Sequence, residues 1–104
     1  MLKIKLFCSA GMSTSLLVTK MQKSAEERGI EVEIAAYPES TLSDHVKDCD
    51  VALLGPQVRF MLKKAKALCE PLGVPIDVIA MQDYGMMRGD RVLDAALKLI
   101  EENK

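Results

Sequence analysis

Hydrophobic and polar residues alternate from the first positions of the chain. In residues 3–8, KIKLFC, Ile4 and Leu6 alternate with lysines, the period-two pattern of a β-strand. Ser9-Ala10-Gly11-Met12 then interrupts the pattern with small residues and predicts a loop. The period changes next: Leu16, Leu17, Met21 and Ala25 recur at helical spacing, with Lys20, Lys23, Glu27 and Arg28 turned to water. Ser13 or Thr14 is the expected cap, and Gly29 the expected stop. Residues 30–36, IEVEIAA, return to alternation, with Ile30, Val32 and Ile34 on one face and Glu31 and Glu33 on the other. That is a half-exposed strand at a sheet edge. Pro38 ends it, and Thr41 or Ser43 caps a short helical turn around residues 42–47.

In the second half, residues 50–54, DVALL, form an apolar run closed by Gly55-Pro56, as expected of a central buried strand. From Gln57 to Leu68, apolar Val58, Met61, Leu62, Ala65 and Leu68 oppose Arg59, Lys63, Lys64 and Lys66, which predicts an amphipathic helix. Gly73 and Pro75 precede a fourth strand at residues 76–79, and a loop containing Tyr84-Gly85-Met86-Met87 follows. Asp90 is the expected cap of a last helix that buries Val92, Leu93, Ala96, Leu97 and Ile100. The fold class is therefore α/β: one four-stranded parallel sheet with helices on both faces. Right-handed crossovers and double winding give the strand order 2-1-3-4. Ligands of such sheets bind outside the carboxyl ends of the strands, and Cys8 stands at the end of strand 1.

Composition narrows the functional classes. The 104 residues suit one domain. Hydrophobic residues make up 49% and aromatics 4%, with no Trp, so the core is aliphatic and Met-filled. Fourteen basic residues against fifteen acidic ones leave a net charge of -1. No basic excess and no stacking platform argue against a nucleic-acid partner. No run approaches the roughly 20 apolar residues of a membrane span, and the first residues lack the pattern of a signal peptide. Cys8, Cys49 and Cys69 are odd in number and widely spaced. Neither a disulfide framework nor a metal site is expected, and a reducing cytoplasm suits the chain.

The loop after strand 1 concentrates the chemistry. Cys8-Ser9-Ala10-Gly11-Met12-Ser13-Thr14-Ser15 combines a thiol, small residues and four hydroxyls. Small residues let successive backbone N–H groups converge into an anion-binding nest, and Gly11 permits close backbone approach. The helix that follows adds its unsatisfied N–H groups and the positive end of its dipole, a field that favours a thiolate. A thiolate above such a nest can attack phosphorus and hold a phosphoryl group. On the residues alone a second reading stays open: a small buried thiol beside an ordinary helix cap.

The string KLFCSAGMSTSLLVTKM resembles the active loop of the IIB components of the lactose/cellobiose-type sugar phosphotransferase system (PTS). DVALLGPQVRFML is similar to that family's third strand, Gly-Pro-Gln turn and following helix. The resemblance extends over essentially the whole chain and makes residues 1–104 one IIB-type domain. It implies that a phosphohistidine on the IIA component donates to Cys8, with Ser9, Ala10, Gly11, Met12, Ser13, Thr14 and Ser15 as the phosphate cradle. The phosphocysteine then gives its phosphoryl group to a sugar, expected to be a β-linked disaccharide, at the membrane IIC component. The resemblance implies no cofactor and no metal, and a cytoplasmic protein peripherally associated with the transporter. A carrier that docks on two partners in turn is most simply a monomer.

IIB folds of this type also resemble low-molecular-weight protein tyrosine phosphatases, whose loop likewise starts with Cys after strand 1. Those enzymes place an Arg six residues beyond the Cys as a bidentate clamp; here that position is Thr14, and the loop contains no Arg. Their general acid is an Asp in a late loop, for which Asp83 is the candidate. A carrier should avoid hydrolysis, so the missing Arg favours the carrier over a hydrolase. A regulatory module without phosphotransfer is a third reading. Outside the loop, Gln57, Tyr84, Met86 and Met87 are candidates for the phosphate rim or partner docking, and Met12 adds to an adaptable apolar margin. Arg59 and Arg88 read as surface residues able to steer an anion. Cys49 and Cys69 read as structural, and His45, the only histidine, as a solvated surface residue.

Overall fold

The computed structural model of the chain describes residues 1–9 and 11–103, with the side chains of residues 11–13 outside that description. Four strands, β1 (Leu2–Cys8), β2 (Val32–Pro38), β3 (Val51–Leu54) and β4 (Ile76–Val78), alternate with helices α1 (Gly11–Glu27), α2 (Leu42–His45), α3 (Leu62–Cys69), α4 (Met81–Gly85) and α5 (Gly89–Glu102). The sheet has the predicted order β2-β1-β3-β4, and every pairing is parallel. The chain leaves β1 to build β2 on one side and returns to build β3 on the other. The carboxyl end of β1 is thus the point where the winding reverses, and a crevice opens there. Cys8 is the last residue of β1, level with Pro38 of β2; Phe7 is level with Leu54 of β3.

Strand periodicity divides the interior into two cores. Ile4, Leu6, Val51 and Leu53 point to one face and pack with Leu17, Met21 and Ala25 of α1 and Val92, Leu93 and Ala96 of α5. Phe7, Ala52 and Leu54 point to the other and pack with Leu42, Val46, Val58, Ala65 and Cys69. Both faces of β1 and β3 are covered, which is why DVALL reads as continuously apolar. The edge strand β2 keeps Glu33 in water, and Glu31 just before it is exposed as well. Gly89 sets how closely α5 approaches α1. A Cβ there would lie 2.5 Å from the Lys20 carbonyl carbon and 2.6 Å from the Met21 nitrogen.

Several local expectations are corrected. Helix α1 begins at Gly11, so Thr14 lies inside its first turns instead of capping it. Its buried face is Thr14, Leu17, Met21 and Ala25, whereas Leu16 is half exposed. The helix expected from Gln57 starts as a 3-10 segment, Pro56–Met61, with Val58 outside helical geometry, and becomes α-helical at Leu62. Leu68 lies on its exposed side, and Cys69 takes the buried position instead. Residues 81–85, read as loop, form the one-turn helix α4. Asp90 does not cap α5: it lies in the first turn, where its carboxylate accepts from the Arg88 guanidinium at 3.2 Å. Thr41 precedes α2 without capping it, its hydroxyl donating to the Pro38 carbonyl at 2.8 Å.

Candidate active site

Cys8 is carried to the crevice by β1, whose neighbours on both sides hold it in register. The residue is only 3% exposed, so the thiol belongs to the packed end of the sheet and not to the open surface. Helix α1 starts three residues later, and its first turn contains no acidic residue to offset the positive end of its dipole. Cys8, Ser9 and Ser15 line a small cleft of about 90 Å³ with Ala36, Tyr37 and Pro38 from the end of β2. Ser9 and Ser15 are exposed there. Among the expected cradle residues, Ala10 and the side chains of Gly11, Met12 and Ser13 lie outside the described residues.

Thr14 lies deeper than Ser9 and Ser15. Its side chain is buried, and its hydroxyl is hydrogen-bonded to Cys8 Sγ, with Oγ1 2.5 Å from the sulfur. The same Oγ1 lies 3.0 Å from the Tyr84 hydroxyl. Tyr84 is buried as well, which corrects its reading as a residue on the rim. Helix α4 delivers it: the Tyr84 N–H donates to the Ala80 carbonyl, and the Tyr84 carbonyl accepts from the Met87 N–H. This pairing holds Met87 at φ 53° and half buried against the core. Met86 is 62% exposed and remains available at the surface.

Gly55 and Gln57 close the β3 side. The position a Cβ on Gly55 would occupy is 2.9 Å from Cys8 Cβ and 2.7 Å from Gln57 Oε1. Gln57 therefore folds its amide over Gly55 on the Cys8 side. The Gly55 N–H donates to the Phe7 carbonyl at 2.8 Å, extending the β1–β3 ladder to the residue before Cys8. Gly55 follows directly on the strand that neighbours β1, and this adjacency was the signal available in the sequence for its contact with Cys8.

The remaining candidates are engaged elsewhere. Asp83 lies 3.6 Å from the Arg91 guanidinium and lines a separate cleft between β4 and α5. Arg88 is paired with Asp90, while Arg59 is exposed. His45 is half buried, not a solvated surface residue. Its ring stacks on Tyr37 with centroids 3.7 Å apart, Tyr37 in turn stacks on Phe7, and the His45 carbonyl accepts from the Lys5 ammonium at 2.9 Å. Burial pushes the Cys49 thiol up to about 11 and raises Cys69, so both stay protonated at neutral pH.

The chain is similar to known proteins over this whole framework. Residues 3–95 match the family model described as the PTS system lactose/cellobiose-specific IIB subunit. The galactose-specific EIIB component of Lactococcus lactis subsp. cremoris is 53% identical over 93% of this chain and 94% of its own length. The cellobiose-specific EIIB component of Lactococcus lactis subsp. lactis is 52% identical over the same shares. A solution structure of the cellobiose-specific phosphotransferase IIB component of Borrelia burgdorferi superimposes with a TM-score of 0.82, at 41% identity over 99% of this chain and 94% of that one. The chain belongs to the lactose/cellobiose-specific IIB subunits of the sugar phosphotransferase system, and its function is that of a phosphocarrier.

Proposed function

We propose that Cys8 is the residue on which this subunit carries the phosphoryl group. The observation that supports this most is its position: the last residue of the central strand, at the winding reversal, facing a cleft lined by Ser9 and Ser15 at the start of α1. In the incoming step the Cys8 sulfur forms a bond to phosphorus, the P–N bond of a IIA phosphohistidine breaks, and the electron pair stays on the imidazole. In the outgoing step a sugar hydroxyl attacks phosphorus and loses its proton to solvent, while the S–P pair returns to sulfur as a thiolate. The cradle of residues 9–15 supplies backbone N–H groups and hydroxyls to the phosphoryl oxygens. The sugar is a β-linked disaccharide or a related glycoside presented by the membrane IIC component.

Hydrolysis is disfavoured at such a site. The position of the phosphatase arginine is held by Thr14, whose hydroxyl is turned to the sulfur in the interior. Asp83, the candidate general acid, is paired with Arg91. The proposal is tested by reconstitution with phosphorylated IIA, membrane vesicles bearing the cognate IIC and a panel of disaccharides. Sugar phosphate should form with this chain and not with Cys8→Ser. Rapid turnover of an aryl phosphate, lost in Asp83→Asn, would instead identify a hydrolase.

A further inference from the structure

Charge is unevenly distributed along the chain. The segment from Pro56 to Cys69 holds Arg59, Lys63, Lys64 and Lys66 and no acidic residue, so it carries +4. The rest of the chain, with ten cations against fifteen acids, carries -5. Elsewhere cations are engaged: Lys3, Arg28, Arg88 and Arg91 stand in ion pairs, and Lys5 donates to a carbonyl. All four cations of the segment are exposed, and among the described residues none of them is in an ion pair. Glu39, which lines a cleft with Lys64, forms none with it. Phe60 is 79% exposed and Leu68 40%, while Ala65 and Cys69 turn into the core. The outer side of α3 and of the 3-10 segment before it thus presents cations around an uncovered aromatic ring.

We propose that this face, residues 59–68, rests directly on an anionic phospholipid surface, with Phe60 in the interface and the four cations against the headgroups. The composition favours lipid over a protein partner. Three of the cations are lysines, point charges on flexible stems that suit a diffuse layer of headgroups, whereas lysine is depleted at protein–protein contacts. An exposed aromatic ring among lysines is the pattern of segments that lie in a membrane interface. Among the described residues no helix is long and apolar enough to cross a membrane, so the contact is one of surfaces. Four cations and one ring make it weak and reversible. The face also begins beside the crevice: Pro56 follows Gly55, whose added Cβ would stand 2.9 Å from Cys8 Cβ. A chain lying on this face keeps the β3 side of the crevice close to the membrane that holds IIC. That consequence rests on the reading that Cys8 carries the phosphoryl group; lipid binding itself does not.

The test is co-sedimentation of the full-length chain with phosphatidylglycerol vesicles and, separately, with phosphatidylcholine vesicles. Binding is expected to the first only, and should be lost in about 1 M salt, where charges are screened beyond ~3 Å. Lys63→Gln, Lys64→Gln and Lys66→Gln combined should weaken it on the order of a hundredfold, at roughly fivefold per cation. Phe60→Ser should weaken it on the order of tenfold. The chain has no Trp, so Phe60→Trp supplies a single reporter whose emission should shift to the blue on anionic vesicles. Lys20→Gln, Lys23→Gln and Lys98→Gln combined remove the same charge from other exposed positions and should leave binding at the parental level. Equal weakening by the two triple variants, or no binding of the parent chain to phosphatidylglycerol, overturns the proposal. Slower labelling of the Lys63, Lys64, Lys66 variant by phosphorylated IIA identifies a protein-docking face and overturns it too. So does slower sugar phosphate formation by that variant with IIC in phosphatidylcholine vesicles. Cys8→Ser should bind vesicles as the parent does. Failure of the carrier reading, seen as absence of label on Cys8, is therefore distinct from every one of these outcomes.

Discussion

Gly55 lies so close to Cys8 that a single added methyl group would stand 2.9 Å from Cys8 Cβ. The same methyl would meet Gln57 Oε1 at 2.7 Å. The glutamine can swing away, but the Cβ of a strand residue paired with Pro38 of β2 cannot. Gly55→Ala is therefore predicted to push the end of β1 away from β3 and to shift the sulfur. Misplacement of this size costs on the order of tenfold to a hundredfold in a step that depends on positioning. Labelling rates with phosphorylated IIA check this, and a Gln57→Ala variant labelling at nearly the parental rate would show that the strand displacement, and not loss of the amide, is responsible.

Gly89 plays the corresponding part between the helices, far from the chemistry. A Cβ at this position overlaps backbone atoms of Lys20 and Met21, and backbone has no rotamer by which to escape. Gly89→Ala should force α5 away from α1 and loosen the core to which Met21 and Leu93 both belong. The expected loss is about 1–3 kcal/mol or more, read as a lower urea midpoint at unchanged slope.

Alkaline destabilisation should be traceable to Cys49. Burial raises its thiol from the ordinary 9.0 to about 11, so the folded protein holds a proton that the unfolded chain has already lost. Stability is then complete below about pH 9 and falls as pH rises toward 11, because the native state binds more protons in that interval. Thermal unfolding midpoints should drop across this window, and Cys49→Ala should flatten the drop. Neutral-pH alkylation mapped by mass spectrometry should leave Cys49 and Cys69 slow to react.

His45 should prove dispensable for phosphotransfer. Its ring is committed to Tyr37 and its carbonyl to Lys5 on the Phe7 side of the sheet, the face opposite the α1–α5 core. His45→Ala should keep the labelling rate and lose only the stacking contribution, about 0.5–1.5 kcal/mol, measurable by urea unfolding.

The sheet was legible because its strands carry unambiguous periods. Alternation in IEVEIAA marked the edge, and the unbroken apolar run DVALL marked a strand covered on both faces. The order followed from winding rules. What the sequence concealed were the places where a side chain serves a neighbour instead of its own element. Thr14 looks like a cap because caps and sulfur ligands draw on the same hydroxyl; only the fold shows it turned to Cys8. Tyr84 was placed at the correct end of the sheet, but one turn of helix, too short to display a period, carries it inward. Leu16 and Leu17 are adjacent, so one of them had to leave the buried stripe; Leu17, three residues after Thr14 and four before Met21, kept the register. His45, in α2, looked solvated amid polar neighbours, because its aromatic partner Tyr37 lies on β2.

The central claim is that one phosphoryl group resides on Cys8. Its most direct measurement is mass spectrometry of the chain after incubation with phosphorylated IIA, on the intact protein and on its peptides at a pH that preserves thiophosphate. The account predicts a single added phosphoryl group on the peptide containing Cys8, absent from Cys8→Ser. A phosphoryl group found on His45, or one retained by Cys8→Ser, would contradict it.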